Sequence, residues 1–259
     1  MSKQSGLGDK LFLQGLDLSG DVGSIQTIGA KRASLDVTGI DQSAYHRILG
    51  LADGEISFAS WFNDAGGSNR AGAAASTFYA LSALPTTDLY ALYCRGAALG
   101  SVCAHLVAQQ MNYDGNRGAD GGFPLSVQLL ARAGTPLEFG TQISAGQVSK
   151  ASAGASALGE VTAQTTYGGV GFLQYFSRSS GTPTFLIESS SDTTNGVDGT
   201  WGTLLTFAGT GGATPFGERK TVTGTIPKGL RWKVTGTFTN AVFAIGFRRG
   251  TAQDDVSLA

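Results

Sequence analysis

Chemically versatile side chains are scarce in this chain. Only two cysteines, Cys94 and Cys103, and two histidines, His46 and His105, occur in 259 residues, and charged residues make up 14% of the total, well below the ~25% of an ordinary soluble protein. The formal net charge is −1. That disfavours tight nucleic-acid binding through a basic surface, which draws its affinity from lysines and arginines that displace phosphate counterions. No apolar run approaches the ~20 residues that span a bilayer, and the opening Met-Ser-Lys-Gln-Ser-Gly lacks the apolar stretch of a secretory signal. Cytosolic synthesis is the expectation, and with it free, buried thiols, although the two cysteines could also sit on facing strands of a hairpin.

Constellations that carry chemistry are missing as well. There is no Gly-x-Ser-x-Gly nucleophile elbow, and His46 and His105 have no spacing that could wrap a metal. Gly212–Gly217 has the glycine spacing of a phosphate loop, but Glu218 stands where a lysine must neutralise phosphate, so the stretch reads as a turn before a strand. Asp114, Asn116 and Asp120 are spaced like a calcium loop. Gly118 and Ala119, however, replace a ligand and the obligatory glycine, and Leu125 stands where an acid must close the site. Asp53, Glu55 and Asp88 offer no acid–base pair. Trp61, Trp201 and Trp232 would form a sugar platform only if they shared one exposed face; core anchoring or an interface role is the plainer reading. No catalytic, cofactor-binding or metal-binding residues are assigned, and no enzyme activity is expected.

Glycine is plentiful, at 39 residues, and with Ser, Thr and Ala it makes a turn-rich chain whose backbones can approach closely. Met1–Asp9 reads as a polar arm. Strands are expected at Leu11–Leu18, Ile25–Ile28, Ser34–Thr38 and Glu55–Phe62, with a brief helix over Asp41–Leu51, where Ala44, Ile48 and Leu51 recur at helical spacing. Asn63–Gly72 reads as a loop, and Ala73–Leu84 as a helix ended by Pro85. Asp88–Arg95, Val102–Asn112 and Phe123–Ala131 follow as strands. In the last of these Phe123, Leu125, Val127 and Leu129 alternate with polar residues, and Tyr113–Gly122 is the loop between it and its predecessor.

Gln147–Ala163 is small, polar and patternless, so a linker is placed at 151–163. Six short strands come after it: Gly168–Phe176, Thr184–Ser189, Gly202–Ala208, Lys220–Thr225, Arg231–Thr237 and Ala241–Arg248. In the last, Phe243, Ile245 and Phe247 oppose Ala244, Gly246 and Arg248, the pattern of a sheet wetted on one face. The fold class expected is mainly β. A first β-sandwich with one flanking helix occupies 1–150, and a second, smaller β-sandwich occupies 164–259.

Particular phrases then suggest a family. Leu35-Asp36-Val37-Thr38, Ser43-Ala44-Tyr45-His46-Arg47-Ile48, Leu51-Ala52-Asp53-Gly54-Glu55-Ile56-Ser57-Phe58, Arg95-Gly96-Ala97-Ala98-Leu99-Gly100 and Gln110-Met111-Asn112-Tyr113-Asp114-Gly115 resemble the major tail proteins of siphophages, notably those of actinobacteria. The resemblance covers roughly residues 30–145 and is looser beyond. It implies a tail-tube-type β-sandwich whose copies close into rings, commonly hexameric with trimeric rings as the alternative, stacked into a conduit for genome ejection. The partners implied are the chain itself, a tape-measure protein, and tail terminator and tip proteins, with DNA only in transit and no membrane. The place implied is the virion tail, after synthesis in the host cytoplasm. The 164–259 sandwich is expected to decorate the tube exterior, a second tube-forming copy being the other possibility. The competing function is a surface or tail-tip β-sandwich that binds carbohydrate through Trp201 or Trp232.

Overall fold

The computed structural model describes residues 8–63, 77–208 and 215–251, and these form an almost wholly antiparallel β protein. In the N-terminal half, β1 (Lys10–Leu13) and β2 (Leu16–Asp17) make a tight hairpin, followed by two long strands, β3 (Val22–Asp36) and β4 (Arg47–Trp61). A five-residue helix, α1 (Thr77–Leu81), precedes β5 (Leu89–Cys94), β6 (Val102–Gly115), β7 (Pro124–Ala131) and β8 (Glu138–Gln142). Three short strands then lead into the C-terminal half: β9 (Val148–Lys150), β10 (Gly154–Ala155) and β11 (Glu160–Val161). They are followed by β12 (Gly169–Ser177), β13 (Ser180–Gly181), β14 (Thr184–Ser190), β15 (Gly202–Thr206), β16 (Phe216–Val222), β17 (Gly229–Thr235), β18 (Phe238–Thr239) and β19 (Ala241–Arg249).

Each half has its own apolar core, and the alternation of the strands explains which side chains fill it. Leu11, Leu13, Ile56, Phe58, Leu106, Val127 and Leu129 pack together in the first. The second is a sandwich: Leu173, Tyr175, Phe243 and Phe247 from the β16-β12-β19 sheet face Phe185, Ile187 and Trp232 from the β17-β14-β15 sheet. The two cores are nevertheless joined, because β8 pairs with β6 on one side and with β19 on the other, extending one sheet to 12 strands. The opposite faces of β12 and β19 also lie on the N-terminal half. Val170 and Phe172 meet Val107, while Phe176 and Ala244 meet Phe12, Leu92, Cys94 and Cys103.

Several expectations are corrected by this arrangement. The segment 151–163 is not a linker: β10 and β11 lie within or across it and pair with β17, and β9 just before it pairs with β19. The second face of β19 is not wet, because Ala244 and Gly246 are small enough for the N-terminal sheet to close upon it. No helix forms over Asp41–Leu51. From Arg47 onward that stretch is strand, since its backbone pairs with β3, and a short helix without a packed apolar face is marginal in water. Leu11–Leu18 is two strands with Gln14 and Gly15 turning at φ 51° and 73°, and the short strands foreseen at 25–28 and 34–38 are one 15-residue strand. Of the helix foreseen over 73–84, Thr77–Leu81 is helical and residues 73–76 lie outside the described residues, as do 64–72 of the foreseen loop.

The close approach of the halves makes a direct prediction. A Cβ on Gly246 would lie 2.5 Å from His105 Cε1 and 3.0 Å from Cys103 Sγ. Gly246→Ala is therefore expected to lower stability by about 1–3 kcal/mol through overpacking, read as a lower midpoint in chemical denaturation.

Candidate functional site

β4 has β7 beside it only from Glu55, opposite Leu130, to Trp61, opposite Pro124. Residues 47–54 of β4 and 30–36 of β3 run on past β7 as a two-stranded arm that, among the described residues, pairs only with itself. About eight residues at ~3.3 Å each make it roughly 26 Å long. Local polar bonds hold its tip: the Thr38 amide and hydroxyl donate to Asp36 Oδ1, His46 N donates to Thr38 Oγ1 at 2.8 Å, and Val37 N donates to the His46 carbonyl at 2.9 Å. The same Thr38 donors hold the Asp36 carboxyl below its usual range.

The arm is made of residues that ordinarily fill cores. Ile40, Leu51, Tyr45 and Leu49 are 109%, 88%, 74% and 72% exposed, and Leu35, Val37 and Ile48 are exposed too. Its charges balance, with Lys31, Arg32 and Arg47 against Asp36, Asp41 and Asp53. The outer edge of β3 pairs with no other strand among the described residues. The Val22 amide donates to the Leu18 carbonyl and three register shifts bend the strand against β4, but a 15-residue strand without a second neighbour is what a monomeric protein ordinarily shortens or covers.

The other concentration of polar side chains lies inside, where the halves meet. Glu138 is 2% exposed. It accepts from Arg219 Nε and Nη2 at 2.9 and 3.0 Å and from Arg248 Nη1 at 3.2 Å, which ties β8 to β16 and β19. Beside it the His105 ring packs against Phe172 at a tilt of 53°, with centroids 3.9 Å apart, and Cys103 Sγ lies 3.0 Å from His105 Nε2. A Cys–His contact is the geometry of an activated nucleophile, but here the electrostatics oppose it. Burial pushes the Cys103 thiol well up, while burial and the positive charges of Arg219 and Arg248 press His105 down to about 3. Both forms of the charged pair are thus disfavoured, and neither side chain reaches the surface. The cluster fastens the two halves together.

Residues singled out from sequence are dispersed. Trp232 is inside the second core, Trp201 is covered by the Arg231 guanidinium 4.4 Å from its ring, and Trp61 is exposed on β4, so the three share no face. Asp114 accepts from Asn112 and Asp120 from the Gly122 amide. Among the described residues no group of three or more His, Cys, Asp or Glu is placed to hold a metal. Of the Gly212–Gly217 stretch, residues 212–214 lie outside the described residues, Phe216 and Gly217 open β16, and Glu218 caps the Ala208 amide with both oxygens. Asp53 accepts from the Gly54 amide, Glu55 meets Lys31 and Gln128, and Asp88 pairs with Arg132. Cys94 and Cys103 are free and buried. The arm went unrecognised in the sequence because its leucines and isoleucines read as core.

No family model matches the chain, and no curated protein matches it. Among solved structures, a chain described as "Virion of native gene transfer agent (GTA) particle" superposes with a TM-score of 0.37 at 17% identity, covering 53% of this chain and 98% of its own length. A score of that size does not establish a shared fold.

The interior cluster sets a pH dependence. His105 has its folded-state pKa lowered to about 3 from 6.5, so between those values the unfolded chain takes a proton that the folded chain refuses. Its contribution is absent above the unfolded value and costs stability as pH falls below it, by up to about 1.4 kcal/mol per pH unit. Glu160 works in the opposite sense, since burial raises its pKa against the pull of Arg249 and Thr141. Denaturant titrations from neutral to mildly acidic pH are expected to show a shallower acid loss in His105→Gln than in the unmodified chain. Glu160 is common to both and cancels. Equal slopes would refute the assignment.

Proposed function

We propose that this chain is a structural subunit of a phage-type virion that assembles with copies of itself into the stacked rings of a tail tube. The observation that carries the reading is the arm with its bare β3 edge. A neighbour's strand added along β3 supplies partners for the open backbone groups, and sheet addition between identical copies propagates around a ring. The seven large apolar side chains of the arm, at ~1.5–3 kcal/mol each for full burial, contribute on the order of 10 kcal/mol before the costs of association. Obligate interfaces of this kind cover about 2,000–5,000 Å².

The sequence phrases that resemble siphophage major tail proteins include much of the arm, at Leu35–Thr38, Ser43–Ile48 and Leu51–Phe58. In this reading the partners are further copies, a tape-measure protein and the proteins that cap the tube, DNA passes through without being held, and no reaction is catalysed. A bore with few cations suits passage, because each lysine or arginine on a phosphate adds salt-sensitive affinity. The C-terminal sandwich decorates the exterior. Sugar recognition through Trp201 or Trp232 is the weaker reading, since one ring is interior and the other lies under Arg231.

The test is assembly. Purified chain at high concentration is expected to give rings or cylinders of open length in negative-stain images. The double substitution Leu49→Asp with Leu51→Asp is expected to leave the fold stable to within about 0.5 kcal/mol, as exposed positions allow, while abolishing those assemblies. A wild-type chain that stays monomeric, or a double variant that assembles as well as wild type, contradicts the proposal.

A further inference from the structure

Cys94 and Cys103 are directly opposite one another on β5 and β6. Which kind of antiparallel position they occupy follows from the neighbouring hydrogen bonds. Arg95 N donates to the Val102 carbonyl at 2.9 Å, so Arg95 and Val102 are a hydrogen-bonded pair, and the positions on either side of such a pair are not. The outer ladders agree. Gln14 N donates to Tyr90 O, which in the β1–β5 register directs the backbone of Cys94 toward β1, and Gln142 N donates to Ser101 O, which directs that of Cys103 toward β8. The two cysteines therefore meet at a non-hydrogen-bonded site, where opposed Cα atoms are about 4.5 Å apart and the side chains are closest. That spacing is within the ~4.4–6.8 Å a disulfide spans.

Both side chains also belong to one small cluster with Phe12, Leu92, Phe176 and Ala244, and they are 1% and 0% exposed. We propose that Cys94 and Cys103 form an intramolecular disulfide when the folded protein meets a small oxidant of the peroxide class. One thiol is oxidised by hydrogen peroxide to a sulfenic acid with release of water. The second sulfur then attacks it, forming the S–S bond and releasing a second water, so two thiols and one peroxide yield one cystine and two waters. Cys103 Sγ gives up its contact with His105 Nε2 in the process. Burial keeps the thiols protonated and slows the first step. Lys10 and Phe12 of β1 cover Cys94 and its cluster, and three of the four residues of β1 are buried, so peroxide reaches the thiols only through transient opening of that strand, which warming toward the unfolding transition promotes. The same burial then shields the bond from reductants, so the link is a lock set after release from a reducing cytosol and not a cycling switch.

The test uses the full chain. Native protein is incubated with hydrogen peroxide at ambient temperature and just below its unfolding transition, then denatured, alkylated and weighed intact. The expected result is loss of both alkylatable thiols, a mass lower by two hydrogens, monomers on a non-reducing gel, and recovery of both thiols when reductant is added after unfolding. Cys94→Ala is expected to form no such product, its remaining thiol staying alkylatable or gaining oxygen. Two thiols still alkylatable at both temperatures, oxygen added without cystine, or cystine formed only between chains would overturn the proposal.

Discussion

A β-strand satisfies its backbone only if something lies along each of its two edges, and among the described residues the long hairpin of β3 and β4 has a neighbouring strand only along the proximal part of β4. Everything distinctive about the surface follows. The proximal part of β4 is secured by β7 and by a core into which Ile56 and Phe58 point. The distal part has neither, yet keeps core-type side chains at Leu35, Ile48, Leu49 and Leu51. A hairpin with both faces in water is marginal on its own, so its composition makes physical sense as one half of an interface.

The remainder of the molecule is built to be rigid by comparison. β8 bridges β6 and β19, and its Glu138 clamps two arginines from the C-terminal strands. At the same seam glycines replace side chains: a Cβ on Gly140 would lie 2.4 Å from the Phe247 carbonyl oxygen, and one on Gly217 would lie 2.3 Å from Tyr90 Cβ. Close backbone approach, a buried ion cluster and doubly buried strands thus join two cores into a platform from which the arm projects.

How much of this was legible in the sequence depended on whether a residue's role was local. Strands with clean alternation, such as Leu125-Val127-Leu129 in β7 and Phe243-Ile245-Phe247 in β19, were readable, and so were the six C-terminal strands to within a few residues. β8 to β11 were not. Residues such as Gly140, Ser149 and Gly154 carry no periodic signal, and their strands exist because β6, β17 and β19 offer edges to pair with. The helical spacing of Ala44, Ile48 and Leu51 misled for the same reason, since pairing with β3 decided the outcome. The arm could not be seen at all, because an exposed leucine and a buried one are the same letter. The Glu138 cluster draws on segments some eighty to one hundred and ten residues apart, beyond any local pattern.

Hydrogen–deuterium exchange compared between the isolated subunit and its assembled form measures the open edge most directly. The account predicts that those amides of Lys31–Asp36 that face away from β4 exchange rapidly in the free chain and become strongly protected on assembly, while those of β12 and β19 are slow in both. Outward-facing β3 amides that are already protected in a lone subunit, or that exchange as fast in the assembly as outside it, would contradict the claim that a neighbouring copy completes the sheet.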